Sequence, residues 1–274
     1  TWTFIFFGLF FLSFIAMPPQ YGIENPSPIA PFLNDVFPKK SPSYGIWKAE
    51  NAFPNFTFTD PIAMEEIPGE NYYYVAGKQG IIWLIENDEN TVEKQTALDI
   101  RNQVITSEDA GFINFVLHPE FSEEGSENKG FLYVNYAFHP TESYGNNERM
   151  NRLSRFKTYE NSFVLDPDSE LILIQDYDPQ GWHMGGGMFF DHEGFLYLTI
   201  GDGGGSQDGY NSSQQVDKRL WGGIIRIDVD NDENRSHPIR KQPEEYPDKP
   251  AGFPPTYTQE YMIPDDNPCL DEAG

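Results

Sequence analysis

Cysteine is nearly absent: Cys269 stands alone, so the chain can form no internal disulfide, no Cys-rich zinc site and no c-type haem attachment. Basic residues are scarce as well. The 18 Lys and Arg face 43 Asp and Glu, for a formal net charge of −25. Binding a phosphate backbone needs a basic stripe, and no such stripe is visible, so nucleic acid is not an expected partner. The charge itself reads as a solubility adaptation to a salty or extracellular setting and names no substrate. Helical periodicity is poor throughout, and no GxxxxGK[ST] follows a strand, which leaves the glycine triplets without a phosphate-cradle reading. The five histidines show no spacing suited to a metal cluster. An initiating Met and a basic n-region are also missing.

The segment Trp2 to Met17 is apolar apart from Thr3 and Ser13. It is short for a membrane span of roughly 20 residues and fits the apolar core of a secretory signal. We expect residues 1–20 to be a signal peptide or an uncleaved anchor, and the chain as given to lack its true start. Residues 21–44, rich in Pro, Asn and Ser, read as a linker. The expected location is therefore secreted or periplasmic, with membrane retention by the anchor as the alternative. Asn55-Phe-Thr57, Asn211-Ser-Ser213 and Asn234-Arg-Ser236 match the glycosylation pattern, a motif of little weight on its own.

From residue 45 onward a weak internal repeat appears. Each unit holds three strand-like pieces: 60–67, 71–76 and 80–85; then 111–118, 130–136 and 152–156; then 186–190, 194–200 and 223–229. The middle strands recur about every 60 residues and carry β-branched and aromatic side chains suited to a pleated, half-buried surface. Radial repetition of small antiparallel sheets predicts an all-β fold, a β-propeller, over a sandwich with coincidentally similar strands. Three or four blades make an incomplete ring with exposed edges. Residues 45–274 are expected to be part of such a domain, cut within or before a fourth blade.

The segment 182–204 carries the richest chemistry: Trp182-His-Met-Gly-Gly-Gly, two short apolar strands, then Asp202-Gly-Gly-Gly. It offers a titratable imidazole, a carboxylate partner and backbone that a flat ligand can approach closely. On the residue alone, a surface-loop histidine bonded to backbone is the favoured reading of His183.

Several stretches, in order, resemble the glucose/sorbosone dehydrogenase family, the soluble aldose dehydrogenases that use pyrroloquinoline quinone. Gly111-Phe-Ile-Asn-Phe-Val-Leu-His-Pro-Glu-Phe121 is similar to the family's GLLGFAFHPDF. Trp182-His-Met-Gly-Gly-Gly stands where members have HNGG. Residues 194–204 parallel DGYLYIGTGDGG, 221–230 parallel LGKILRIDVD, and 261–268 parallel YAIPPDNP. The resemblance runs from about Asn51 to Pro268 and implies a propeller that is six-bladed when complete. It further implies oxidation of an aldose or related alcohol to a lactone, with hydride passing to the quinone and electrons to an acceptor.

In that scheme His183 is the general base, Asp202 orients its ring, and Asp109 contacts substrate hydroxyls, with a solvated loop carboxylate as the other reading of Asp109. Pyrroloquinoline quinone and calcium are the implied cofactors; their main ligands are expected beyond residue 274 and are not assignable here. The segment alone is then expected to be inactive. His118 is expected in a structural turn, and Asp228-Val-Asp-Asn-Asp232 in a solvated turn, since it lacks the EF-hand Gly and distal Glu. Departures from the family pattern are Asn114 for a Gly and Gly223 for a Lys. The alternative function is a non-catalytic secreted propeller that binds glycans or proteins. A lactone hydrolase would need a Glu, Asn and Asp metal constellation that the sequence does not display.

Overall fold

A computed structural model describes residues 49–140, 149–213, 219–242, 246, 247, 249, 253, 254, 258 and 260–267. The expected signal and linker segments, 1–20 and 21–44, lie outside the described residues. All the strands belong to the compact unit Asn51–Gly274.

The first sheet is a four-stranded meander of β1 (Pro61–Glu66), β2 (Tyr72–Gly77), β3 (Ile81–Glu86) and β4 (Lys94–Asp99). The second repeats it with β5 (Phe112–Leu117), β6 (Phe131–Phe138), β7 (Arg149–Thr158) and β8 (Leu165–Asp178). The third contains β9 (Gly185–Phe190), β10 (Leu196–Ile200) and β11 (Ile224–Ile227). Beside it lies a short pair, β12 (Ser236–His237) with β13 (Ile263–Pro264). An isolated bridge from Asp228 to Met262 continues β11 toward that pair.

Every pairing is antiparallel, and each sheet's outermost strand leads into the first strand of the next sheet. The first strands are neighbours in space, with β5 lying against both β1 and β9. Short up-and-down sheets, each linked from its outer strand to the inner strand of the next, are the blades of a β-propeller, here an incomplete one.

The repeat differs from its sequence reading in strand number. The first two blades have a fourth strand, β4 and β8, beyond the three read from the repeat. β6, FLYVNYAF, is buried along its whole length because it lies between strands within its sheet and between sheets on both faces. Tyr74, Phe112, Phe115, Leu132, Val134 and Phe156 pack between the first two blades. Val116, Tyr133, Leu153, Met188, Leu196 and Trp221 pack between the second and third. Removing such aliphatic and aromatic area from water is the main favourable term in joining the blades, at about 25 cal/mol per Å².

Candidate active site

Three connections meet at one end of the inner strands. The β4–β5 connection carries Glu108 and Asp109, the β8–β9 connection carries Trp182 and His183, and the β10–β11 turn carries Asp202. Antiparallel register explains the last two. Ile200 pairs with Gly185, and continuing that register past the strand ends sets residue 202 opposite residue 183.

The side chains meet there. His183 Nδ1 lies 2.8 Å from Asp202 Oδ1, and the same carboxylate oxygen accepts the Gly204 N–H at 3.1 Å. A carboxylate accepts only, so Nδ1 carries the proton and Nε2 is left with its lone pair. The imidazole is 57% exposed, against 26% for Asp202, so the ring is held from one side and open on the other.

The backbone of His183 is held as well. Its φ is +58°, a left-handed conformation that costs a non-glycine residue about 1–2 kcal/mol. Asp109 Oδ2 accepts the His183 N–H at 2.9 Å, and Asp109 N–H donates to the Gly181 carbonyl at 2.9 Å. The structure thus brings His183, Asp202 and Asp109 together. Asp109 grips the backbone of the loop that carries the imidazole, a contact that neither sequence reading of this carboxylate included.

Four further residues support the loop and were not singled out as site residues. Asn114 donates from Nδ2 to the Gly186 carbonyl at 2.9 Å. Asn151 donates to the Met184 carbonyl at 3.0 Å and accepts from Asn135 at 2.7 Å. Gly201 is the fourth: a Cβ there would stand 1.3 Å from the His183 carbonyl oxygen. The two donors to the loop come from the second blade, so their role depends on which blades are neighbours. Asn114 was visible only as a departure from a glycine.

Behind this end of the blades lies a buried titratable group. Asp178 accepts the Gln180 N–H at 2.9 Å and pairs across the β7–β8 ladder with Arg149. Burial, the largest cause, pushes its carboxyl up to about 8; Asp176 and Asp202 add to the rise, while the Gln180 N–H and Arg149 oppose it. Arg149 is itself fully buried, donating to Ser107 Oγ at 2.6 Å and lying 3.8 Å from Glu108.

The other histidines stand elsewhere. His118 is 2% exposed, accepts the Glu120 N–H at Nδ1, and faces Asp230 at 3.0 Å from Nε2. That is the turn role expected of it. His192 is exposed, and His237 is buried with Nδ1 2.8 Å from the Pro238 carbonyl.

The 228–232 segment is solvated over Asp230–Asp232, as its acidity suggested, but not at Asp228 and Val229, which are buried. Asp228 is fully buried, bonded to Ser236 Oγ at 2.7 Å and to Arg235 at 2.9 and 3.2 Å. Arg235 reaches Asp230 too, at 2.9 Å. The guanidinium bonds both carboxylates and compensates the burial of Asp228.

A planar tricarboxylate and calcium would require cations and a set of oxygen ligands. Among the described residues, cations do approach this end of the blades. Lys78 donates to the Glu108 carbonyl at 2.6 Å, and Arg149 is bound as described. Among the described residues no three His, Cys, Asp or Glu side chains form a metal-binding group. The described residues supply an imidazole–carboxylate pair, and among them the cations and metal ligands that the quinone and calcium require are not gathered beside it.

Comparison with known proteins gives matches at two levels. Human Hedgehog-interacting protein is 23% identical over 176 residues, covering 62% of this chain and 24% of that protein. The HIPL1 protein of Arabidopsis thaliana is 49% identical over 49 residues, 18% of this chain and 7% of that protein. The chain thus spans about a quarter or less of the length of these curated relatives. Among solved structures, the soluble aldose sugar dehydrogenase of Escherichia coli aligns with a TM-score of 0.48 and 16% identity, covering 62% of this chain and 44% of that one. A family model matches residues 58–248, across all three blades, and the chain belongs to the glucose/sorbosone dehydrogenase family.

Proposed function

We propose that the protein to which these blades belong oxidises a hydroxyl of an aldose or related alcohol to a lactone, with His183 as the general base. The observation that carries this reading is the His183–Asp202 pair. With Nδ1–H directed to the carboxylate, Nε2 is the atom that takes the hydroxyl proton as the hydride leaves the adjacent carbon. Asp202 then stabilises the imidazolium that forms, and Asp109 keeps the loop in the conformation that presents the ring. Pyrroloquinoline quinone with calcium is the cofactor set this reading needs, and its chemical part is to accept the hydride. Its ligands are assigned to none of the residues above. Secretion or export to the periplasm accords with a sugar-oxidising propeller and with the apolar segment at residues 2–17.

The experiment is turnover of a sugar panel by the full-length protein, supplied with quinone and calcium, read through an artificial electron acceptor. Wild type should reduce the acceptor and His183→Ala should lose that activity. Unchanged turnover in His183→Ala would remove the assigned base.

A second reading is a propeller that recognises a protein or glycan without chemical turnover. Relatives named for interaction with Hedgehog, and not for a sugar, favour it. Under that reading no sugar in the panel supports acceptor reduction, with or without the quinone.

A further inference from the structure

A chain of contacts runs from the buried end of β8 to the imidazole. Asp178 Oδ1 accepts the Gln180 N–H at 2.9 Å. The Gln180 side chain donates to Tyr210 Oη at 2.8 Å and lies so close to Gly204 that a Cβ there would be 3.1 Å from it. Gly204, at φ +78°, donates to the Asp202 oxygen that faces His183. Gln180 and the Gly204 N–H hold the turn that aims Asp202, and Asp178 anchors Gln180.

We propose that Asp178 is a positioning residue for the His183–Asp202 pair, fixing Gln180 against the Gly204 turn and setting how much negative charge lies behind Asp202. This rests on the reading of His183 as the proton acceptor. Asp178 is 5% exposed and does not reach the open face of the ring. Its charged surroundings are Arg149 from β7, Asp176 on its own strand and Asp202 on the β10–β11 turn, with Glu108 beyond Arg149.

While Asp178 holds its proton, Asp202 is the carboxylate bonded to the imidazole ring and Asp178 adds no charge behind it. Loss of that proton places a second negative charge behind the first and favours the imidazolium, strengthening Nε2 as a base. Burial keeps Asp178 protonated well above the usual carboxylate range, so the step falls in the alkaline half of the profile.

The test is NMR titration of the full chain without quinone or sugar. The Asp178 carboxyl carbon is followed together with the His183 ring nitrogens, in wild type and in Asp178→Asn, which keeps an oxygen acceptor for Gln180. The expected result is a carboxyl titrating near pH 8, accompanied by a second inflection in the His183 shifts that the variant loses. The kcat–pH profile of the loaded enzyme should lose its alkaline rise in the same variant, with KM unchanged. Titration of the Asp178 carbon in the ordinary carboxylate range would overturn the proposal from wild type alone. So would His183 shifts that superimpose in the two proteins. Failure of His183→Ala to abolish turnover would instead remove the assigned base and leave this coupling standing.

Discussion

His183 Nδ1 and Asp202 Oδ1 are 2.8 Å apart, with the residues opposite each other in the continued β9–β10 register. The distance fixes which ring nitrogen carries the proton. Asp202→Asn replaces an acceptor-only group by an amide that can donate to Nδ1, so the proton moves to Nε2 and the base is lost. We expect kcat of the loaded enzyme to fall by about 10²–10⁴-fold, as wrong-tautomer variants of His–Asp pairs do. The folded state should persist, which circular dichroism checks. A variant with wild-type kcat would show that the tautomer does not limit the reaction.

Gly201→Ala tests how tightly the His183 loop is packed. Its Cβ would fall 1.3 Å from a backbone carbonyl, which cannot swing aside as a flexible side chain would. The β8–β9 connection around His183 must shift, and overpacking of this kind costs about 1–3 kcal/mol or more. Chemical denaturation should show the loss of stability, together with lost activity of the loaded protein. An alanine tolerated without either change would mean the loop is not held as found.

Much of the fold could be read from residues, and the part that could not has a physical reason. The inner hairpins announce themselves: 72–76 with 81–85, and 131–136, are apolar runs bounded by Gly80 and Gly130. The outer strands do not. β4 is Lys-Gln-Thr-Ala-Leu-Asp and faces solvent over its first half, while β8 opens with Leu-Asp-Pro-Asp-Ser-Glu before its apolar stretch. A strand buried only on its far side shows weak alternation, and Pro167 argues against a strand at all.

The site divides in the same way. His183 and Asp202 were legible as a spacing, because one hairpin brings them together. Asn114 and Asn151 act across the boundary between blades, on the Gly186 and Met184 carbonyls. Nothing in their local sequence reports that boundary. The buried state of Asp228 was hidden for a related reason: its partner Arg235 follows seven residues later, outside the acidic run itself.

Arg235 therefore yields a prediction about stability. Removing it leaves Asp228 fully buried beside Asp230 without the guanidinium between them. Breaking a buried pair by deleting one partner typically costs about 3–5 kcal/mol, and Arg235, being partly exposed, belongs at the lower end. Arg235→Ala should lower the denaturation midpoint accordingly. Asp228→Asn combined with Arg235→Ala should recover part of the loss, because the stranded charge is then gone. A double variant no more stable than the single one would place the cost in lost packing of Arg235 over Phe195 instead.

The last prediction concerns Asp178 and pH. In the unfolded chain this carboxyl loses its proton near the ordinary Asp value of about 3.9; in the folded state burial raises it to about 8. Between those limits the folded state binds the extra proton, so Asp178's contribution to stability falls as pH rises through that window and levels off above it. Asp178→Asn removes the ionisable group while preserving its shape. Wild type and variant should therefore have similar unfolding free energies near pH 4. The variant should gain progressively toward pH 8, by about 1–3 kcal/mol once the neighbouring Arg149 charge is allowed for. Urea denaturation at several pH values measures the gap. A difference that stays constant across the range would mean that Asp178 ionises in the folded protein much as it does in the unfolded chain.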